Sequence, residues 1–224
     1  MRDIEGMKFP NESPAYRQLR NELLAAEAQL RDQVEAVAAL RRRLPHGGLV
    51  GDYEFENAAG KTNLSEQFQR HSTLIAYSFM YGPDDAVPCP MCSSFVDALL
   101  SQLPQLQQRA DVVVIARSPY ERIAQMVGER GWRALNWLSA AHNRFASAYH
   151  SEDDHGAQSP MCHVFVRQEG RVHHQWSSEL LAVPRDGQPR HLDTLWPLWN
   201  LLDLTPEGRG DFMPVVSNRG STQG

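Results

Sequence analysis

Two thiols one helical turn apart, in Cys89-Pro90-Met91-Cys92, stand where an apolar run meets a helical pattern, and this junction constrains the fold more than any other stretch. Upstream, Thr73-Leu74-Ile75-Ala76-Tyr77-Ser78-Phe79-Met80 is mostly apolar and is closed by Gly82-Pro83, so it reads as a buried strand. Downstream, Phe95, Val96, Leu99, Leu103 and Leu106 recur at helical spacing. Pro90 suits the first turn of that helix, where its missing N–H has no partner anyway. Cys89 is thereby placed at a helix N-terminus.

Unpaired N–H groups and the positive end of the helix dipole favour a thiolate there, and thiols in such motifs have pKa values lowered to roughly 3.5–7.5. Cys89, the more exposed of the two, is the expected nucleophile. Cys92, one turn deeper, is placed to attack a mixed disulfide and release the partner. Half of a zinc site is the alternative, because Cys-x-x-Cys is also a common zinc half-motif. No second such pair exists, and the adjacent Cys162 and His163 would point to opposite faces of a strand. Inert buried cysteines are the third reading.

At 224 residues with 42% hydrophobic content, the chain fits one ordinary domain plus an appendage. The net charge of −5, with no basic stripe interleaved with aromatics, argues against nucleic acid as a partner. The N-terminus lacks an apolar segment of signal length and nowhere do 18 apolar residues run together, so a cytoplasmic protein without a membrane partner is expected. Three cysteines in a reducing compartment fit a catalytic pair plus a spare better than a disulfide framework.

The expected organisation is a long N-terminal helix over residues 1–46, a redox domain over 47–212 and a loose tail over 213–224. Ser13-Pro14 is a helix start, and Tyr16, Leu23, Leu30, Val37 and Leu44 repeat every seven residues with Leu19, Ala26 and Leu40 three places on. Only Gln33 interrupts the seam, and Arg41-Arg42-Arg43 ends it with the charges that the helix dipole prefers. Its functional reading is a homodimerising coiled coil; the other is an arm that lays the same stripe on its own domain or a neighbour's.

Tyr53-Glu54-Phe55-Glu56-Asn57, Ala58-Ala59-Gly60-Lys61 and Thr62-Asn63-Leu64-Ser65 read as an added hairpin leading to a short helix over 65–69. Pro104 ends or kinks the active-site helix. Val112-Val113-Val114-Ile115-Ala116 is a strand buried on both faces, followed by a helix over 120–129 ended by Gly131. The stretch 132–149 is aromatic, with a short helix within 139–149. Residues 161–166 and 172–176 flank Glu169-Gly170-Arg171 as a hairpin, and Leu192, Leu195, Leu198, Trp199 and Leu202 give a final helix with Pro197 as an irregularity.

A βαβα order followed by ββα, with Cys-x-x-Cys opening the first helix, is the thioredoxin arrangement: a central mixed sheet flanked by helices. Ser159-Pro160 matches that fold's cis-proline position; an ordinary trans proline at a strand's first residue is the other reading.

The sequence also resembles the bacterial thioredoxin-like family of domain of unknown function 899, described as predicted dithiol-disulfide oxidoreductases. The resemblance spans roughly residues 43–212. It rests on Arg43-Leu44-Pro45, Tyr53-Glu54-Phe55, Phe79-Met80-Tyr81, Cys89-x-x-Cys92 with Ser93, Gly131-Trp132, and Leu202-Asp203-Leu204-Thr205-Pro206-Glu207-Gly208-Arg209. Members resemble Trp-x-Ser-Ser and Phe-Asn-x-Asp-Phe or Tyr, where this chain reads Trp137-Leu138-Ser139-Ala140 and Phe145-Ala146-Ser147-Ala148-Tyr149. The polar Asn and Asp are replaced.

The resulting expectation is a thiol–disulfide oxidoreductase in which Cys89 attacks, Cys92 resolves and Pro160 shapes the substrate groove by denying a backbone donor beside the sulfurs. Its working group is the Cys89–Cys92 disulfide itself, with no separate cofactor or metal, and its partner is a protein or low-molecular-weight thiol or disulfide. A peroxiredoxin-like peroxidase is the rival enzyme, although Ala86 stands three residues before Cys89, where that branch carries Thr or Ser. An adaptor with redox-inert cysteines is the rival non-enzyme. Trp132 and Trp137 are either groove-lining or plain core.

Overall fold

The computed structural model describes residues 7–183, 190 and 192–215, so the end of the expected loose tail, 216–224, lies outside the described residues. The chain divides into two compact units, Met1–Pro45 and His46–Gly224. In the first, helix α1 runs Pro14–Arg42. The Ser13 hydroxyl accepts a hydrogen bond from the Tyr16 amide at 3.1 Å, Pro14 opens the first turn, and Arg41 and Arg42 occupy the last, as the capping and dipole signals require. No residue of α1 is buried, and Tyr16, Leu19, Leu23, Leu30 and Leu40 of the apolar seam are exposed.

The second unit is built on a seven-stranded sheet in the order β2-β1-β5-β4-β3-β6-β7. Its strands are β1 (Glu54–Asn57), β2 (Gly60–Asn63), β3 (Thr73–Phe79), β4 (Asp111–Ala116), β5 (Asn136–Ser139), β6 (Met161–Gln168) and β7 (Arg171–Ser177). Helix α2 (Pro90–Leu106) follows β3, α3 (Tyr120–Arg130) follows β4, the single-turn α4 (Phe145–Ala148) follows β5, and α5 (Pro197–Leu202) is the last helix among the described residues. Strand β3 pairs in parallel with β4 and antiparallel with β6, while β4 pairs in parallel with β5. This is the expected thioredoxin-like core with the β1–β2 hairpin added at the β5 side.

Alternation along the strands splits the core in two. Tyr77, Phe79, Val112, Val114 and Trp137 pack with Phe95 and Val96 of α2, Ile123 and Met126 of α3, and Trp199 of α5. Leu74, Ala76, Val113, Ile115 and Phe165 face the other way, against Phe55, Leu64, Phe68 and Phe145. Cys162 joins the first layer, whereas the neighbouring His163 meets Phe145 and Phe165 edge-on or tilted on the opposite face.

Four expectations need correction. The stretch after Gly131 contains a third parallel strand, β5, too short at four residues to show a period. The short helix after the hairpin is a single 3-10 turn, Ser65–Gln67. The last helix begins at Pro197, so that proline is a first-turn residue and the segment holding Leu192 and Leu195 is turn. Among the described residues no peptide bond is cis, so Ser159–Pro160 is trans. Pro160 directly precedes β6, a position where no ladder donor is lost.

Helix α3 ends on Gly131 at φ 71°, with its amide bonded to Val127 in a left-handed cap. No atom lies within 4 Å of the point where a Cβ would stand, so only backbone strain opposes a side chain there. Gly131→Ala should therefore lower stability by about 1 kcal/mol, and Gly131→Asn by less, because Asn tolerates the left-handed region. Urea unfolding would show this as a lower midpoint at unchanged m-value.

Candidate functional site

The site is made where β3 runs out. Met80 follows the last residue of β3, and its carbonyl accepts the Cys89 amide at 3.1 Å, which brings the chain back to the sheet end after the loop 82–88. Cys89 is the N-cap of α2 with extended backbone, and Pro90 takes the first turn. The Cys89 carbonyl accepts both the amide and the hydroxyl of Ser93, each at 2.9 Å.

The preceding loop is fastened from below. The Arg122 guanidinium, on α3, lies 4.8 Å over the Tyr81 ring and donates to the carbonyls of Gly82 at 3.1 Å, of Pro83 and of Asp85. Ser118 donates its hydroxyl to the Gly82 carbonyl at 2.7 Å. The Asp85 carboxylate accepts the Gly82 amide at 2.6 Å and the Gln158 amide group at 2.9 Å, tying the loop to the approach of β6. A Cβ at position 82 would come within 2.7 Å of the Gln158 nitrogen, so a side chain there would push the end of Gln158 aside.

The two thiols are in opposite electrostatic situations. Cys89 is half-buried and its pKa is lowered from 9.0 to about 6, first by a hydrogen bond from the Cys92 thiol and then, against the cost of burial, by the backbone amides of Cys92 and Met91. The negative charge of Asp85 opposes this weakly. Cys92 is 1% exposed and is pushed well above 9.0, chiefly by burial and then by giving its hydrogen to Cys89. Cys89 is thus the thiolate of the pair and Cys92 the thiol. Cys162 is raised to about 12 by burial alone, which makes it a poor nucleophile.

Pro160 lies at the same end of the sheet as Cys89. The β3–β6 register ends at Ser78↔Met161, and one step further sets Pro160 opposite Phe79, next to Met80. Trp132 and Trp137 are core: they stack at 5.7 Å, both are buried, and the Trp132 indole donates to Asp97 at 2.9 Å. Ala140 and Ala146, two of the positions that depart from the family pattern, line a small void of about 10 Å³ with Met80, Arg117 and Ser159. Arg117 pairs with Glu152, yet its buried Nε has no partner.

Sequence reasoning passed over Tyr77, Asp85, Arg122 and Gln158. For Tyr77 a signal existed: a phenol in an otherwise apolar strand needs a partner for its hydroxyl when buried. The other three act through loop geometry, which has no period to read. Among the described residues, no group of three or more His, Cys, Asp or Glu is placed to hold a metal ion, and no helix is long and apolar enough to cross a membrane.

Among solved structures, the peroxidoxin BcpB of Mycobacterium tuberculosis is 18% identical with a TM-score of 0.47, covering 69% of this chain and 96% of its own. A mutant of Xanthomonas campestris peroxiredoxin Q is 15% identical with a TM-score of 0.44, covering 66% of this chain and 90% of its own. At such identities the likeness does not speak to chemistry. A comparison with curated proteins gives no match. The family profile described as "Bacterial protein of unknown function (DUF899)" matches residues 7–221, nearly the whole chain, and the protein belongs to that family.

Proposed function

We propose that the protein is a thiol–disulfide oxidoreductase working through Cys89 and Cys92. The observation that carries the reading is the polarity of the pair: a thiolate at a helix N-cap, held by two backbone amides and by the thiol one turn on. The Cys89 sulfur attacks a substrate disulfide R–S–S–R, forming Cys89–S–S–R and expelling one R–S⁻. Cys92 then attacks the Cys89 sulfur, the Cys89–Cys92 disulfide forms, and the second R–S⁻ leaves with the proton that Cys92 gives up. The substrate disulfide gains two electrons and the dithiol loses them. Val87, 70% exposed beside the motif, gives a partner an apolar foothold next to the attacking sulfur. The trans Ser159–Pro160 bond leaves the proposed role of Pro160 intact, since proline lacks the N–H in either isomer.

A lowered thiolate would serve a peroxidase as well, with Cys89 attacking a peroxide oxygen. The test therefore has two arms. Purified Cys92→Ser protein, incubated with oxidised glutathione, should accumulate a reductant-sensitive adduct on Cys89 by mass spectrometry; Cys89→Ser should form none, and Cys162→Ser should resemble the parent protein. Wild-type protein given hydrogen peroxide with a thiol reductant should consume it slowly. Fast peroxide consumption without a trapped adduct would replace this reading by the peroxidase.

The pH dependence has a definite sign. Alkylation of Cys89 in the reduced protein should rise as pH passes about 6 and level off by neutrality, because the thiolate is the reacting form. The folded state favours this thiolate, so its contribution to stability is full above the ordinary thiol value of 9.0 and is lost as pH falls to about 6. A single inflection near 9 would show that the helix terminus does not act on the sulfur.

We propose in addition that α1 is a self-association arm, since Tyr16, Leu19, Leu23, Leu30 and Leu40 of its heptad seam are solvent-exposed. Sedimentation should report a dimer that becomes a monomer when the residues before Pro45 are removed, with the redox couple unchanged. A monomeric full-length protein would end this reading.

A further inference from the structure

Strand β7 breaks its alternation at one point, and the break gathers polar side chains that a regular strand would separate. In the β6–β7 ladder His163 faces Ser177 and Val164 faces Trp176, but Phe165 faces His174, so Gln175 is an extra residue in a bulge. Three residues apart on a regular strand, His174 and Ser177 would project from opposite faces of the sheet. The bulge turns His174 onto the face of Ser177 and His163. Bulges of this kind re-aim a side chain, and they are frequent beside active sites. Here the Ser177 hydroxyl lies 2.7 Å from His174 Nε2 and 2.7 Å from His163 Nδ1, and His163 Nε2 lies 3.4 Å from the Ser78 hydroxyl. Ser177 and His174 also line a cleft of about 740 Å³ whose walls include Tyr149, Leu180, Ala182 and Val183. We propose that Ser177 is the nucleophile of a second site, with His174 as its general base, which takes carboxylic esters carrying a small apolar acyl group. The inference does not rest on Cys89 or Cys92.

A hydroxyl carries one hydrogen, so one of the two rings accepts it and the other donates to the oxygen. His163 is fully buried, whereas His174 is half-buried at the cleft wall, so His174 is the ring placed to pass a proton to a leaving group. In the working arrangement the Ser177 hydrogen goes to His174 Nε2, and His163 Nδ1–H holds the oxygen from the other side. His174 is well fixed for this task. Its amide donates to the Gly48 carbonyl at 3.0 Å, its carbonyl accepts the Gly47 amide at 3.1 Å, and its ring packs against Tyr149 and Phe165 at 5.5 and 5.6 Å. Burial lowers its pKa, which favours the neutral ring that can accept a proton. Ser177 Oγ attacks the ester carbonyl carbon as its proton passes to His174, and the bond to the alcohol oxygen breaks as His174 returns that proton to it. Water, losing a proton to the same ring, then attacks the acyl carbon; the acid leaves and Ser177 recovers its hydrogen. Nothing is oxidised or reduced.

Diisopropyl fluorophosphate is a suitable probe, because an activated hydroxyl attacks its phosphorus and expels fluoride. The full-length protein should gain one diisopropylphosphoryl group, mapped by peptide mass spectrometry to Ser177, whether its thiols are reduced or oxidised. His174→Gln, which keeps a polar side chain but no base, should be labelled about a hundredfold more slowly. Ser177→Ala deprives both rings of their partner and can fail to fold, so the position of the adduct in the unaltered protein is the primary measurement. With p-nitrophenyl butyrate, a butyryl group should appear on Ser177, and prior treatment with the fluorophosphate should prevent it. No adduct, an adduct only at other residues, or an unchanged labelling rate in His174→Gln would overturn the proposal. An unlabelled Ser177 beside a working Cys89 would remove this inference and leave the oxidoreductase reading standing; a labelled Ser177 in a protein inert toward disulfides would do the reverse.

Discussion

Everything at the working end of this molecule hangs on β3 being paired along both edges. One side is bonded in parallel to β4 over Leu74–Phe79 and the other antiparallel to β6 over Thr73–Ser78. A strand fixed this way cannot slide without flipping Tyr77 and Phe79 out of one layer and Leu74 and Ala76 out of the other. Its end is therefore a fixed point, and Met80, the next residue, carries that rigidity to Cys89 through one backbone hydrogen bond. The N-terminus of α2 is positioned by the sheet before any side chain of the motif acts.

On that frame the two sulfurs differ because of depth. Cys89 sees free backbone amides and solvent, while Cys92 sits among Tyr77, Phe95 and Val96. One turn of helix thus separates a site that stabilises negative charge from one that penalises it, and the hydrogen between the sulfurs follows that gradient. The loop before the motif adds position, because the Arg122 guanidinium holds three of its backbone carbonyls. The Asp85 charge works against the Cys89 thiolate, and the lowering comes from hydrogen bonds.

Much of this was legible in the sequence. The Val112–Ala116 run, the Ser13-Pro14 start, the Gly131 stop and the Glu169-Gly170 turn each carry a local signal strong enough to survive tertiary context. Cys89 and Cys92 followed from placing a motif at a predicted strand–helix junction. What escaped has a common reason: β5 is four residues long and is set by its pairing with β4 and β1, and the segment holding Leu192 and Leu195 is braced by Arg209, which ties Asp193 to Asp203. Each depends on a contact between distant segments, to which a window of neighbouring residues is blind. The Asp203 to Arg209 segment had contributed to the family resemblance as a string of letters; in the structure it is a brace, with Arg209 also lying 5.2 Å over Trp199.

The first residues of the second unit have their own consequence. Residues 47–50 run along the outer edge of β7: the Gly47 amide donates to the His174 carbonyl, the His174 amide to Gly48 and the Val50 amide to Val172. At Gly47 a Cβ would lie 2.2 Å from the His174 oxygen, so only glycine lets the chain come this close. At the far side the sheet stops at β2, four residues with the Lys61 ammonium on Glu54. A free sheet edge is a template on which any extended polypeptide, including another copy of the same chain, can add itself. One edge here is occupied over Val172–His174 by residues 47–50 and the other is short and charged. Both ends of the sheet thus resist the addition of a further strand, so copies of the chain at high concentration have little edge on which to grow into a polymer.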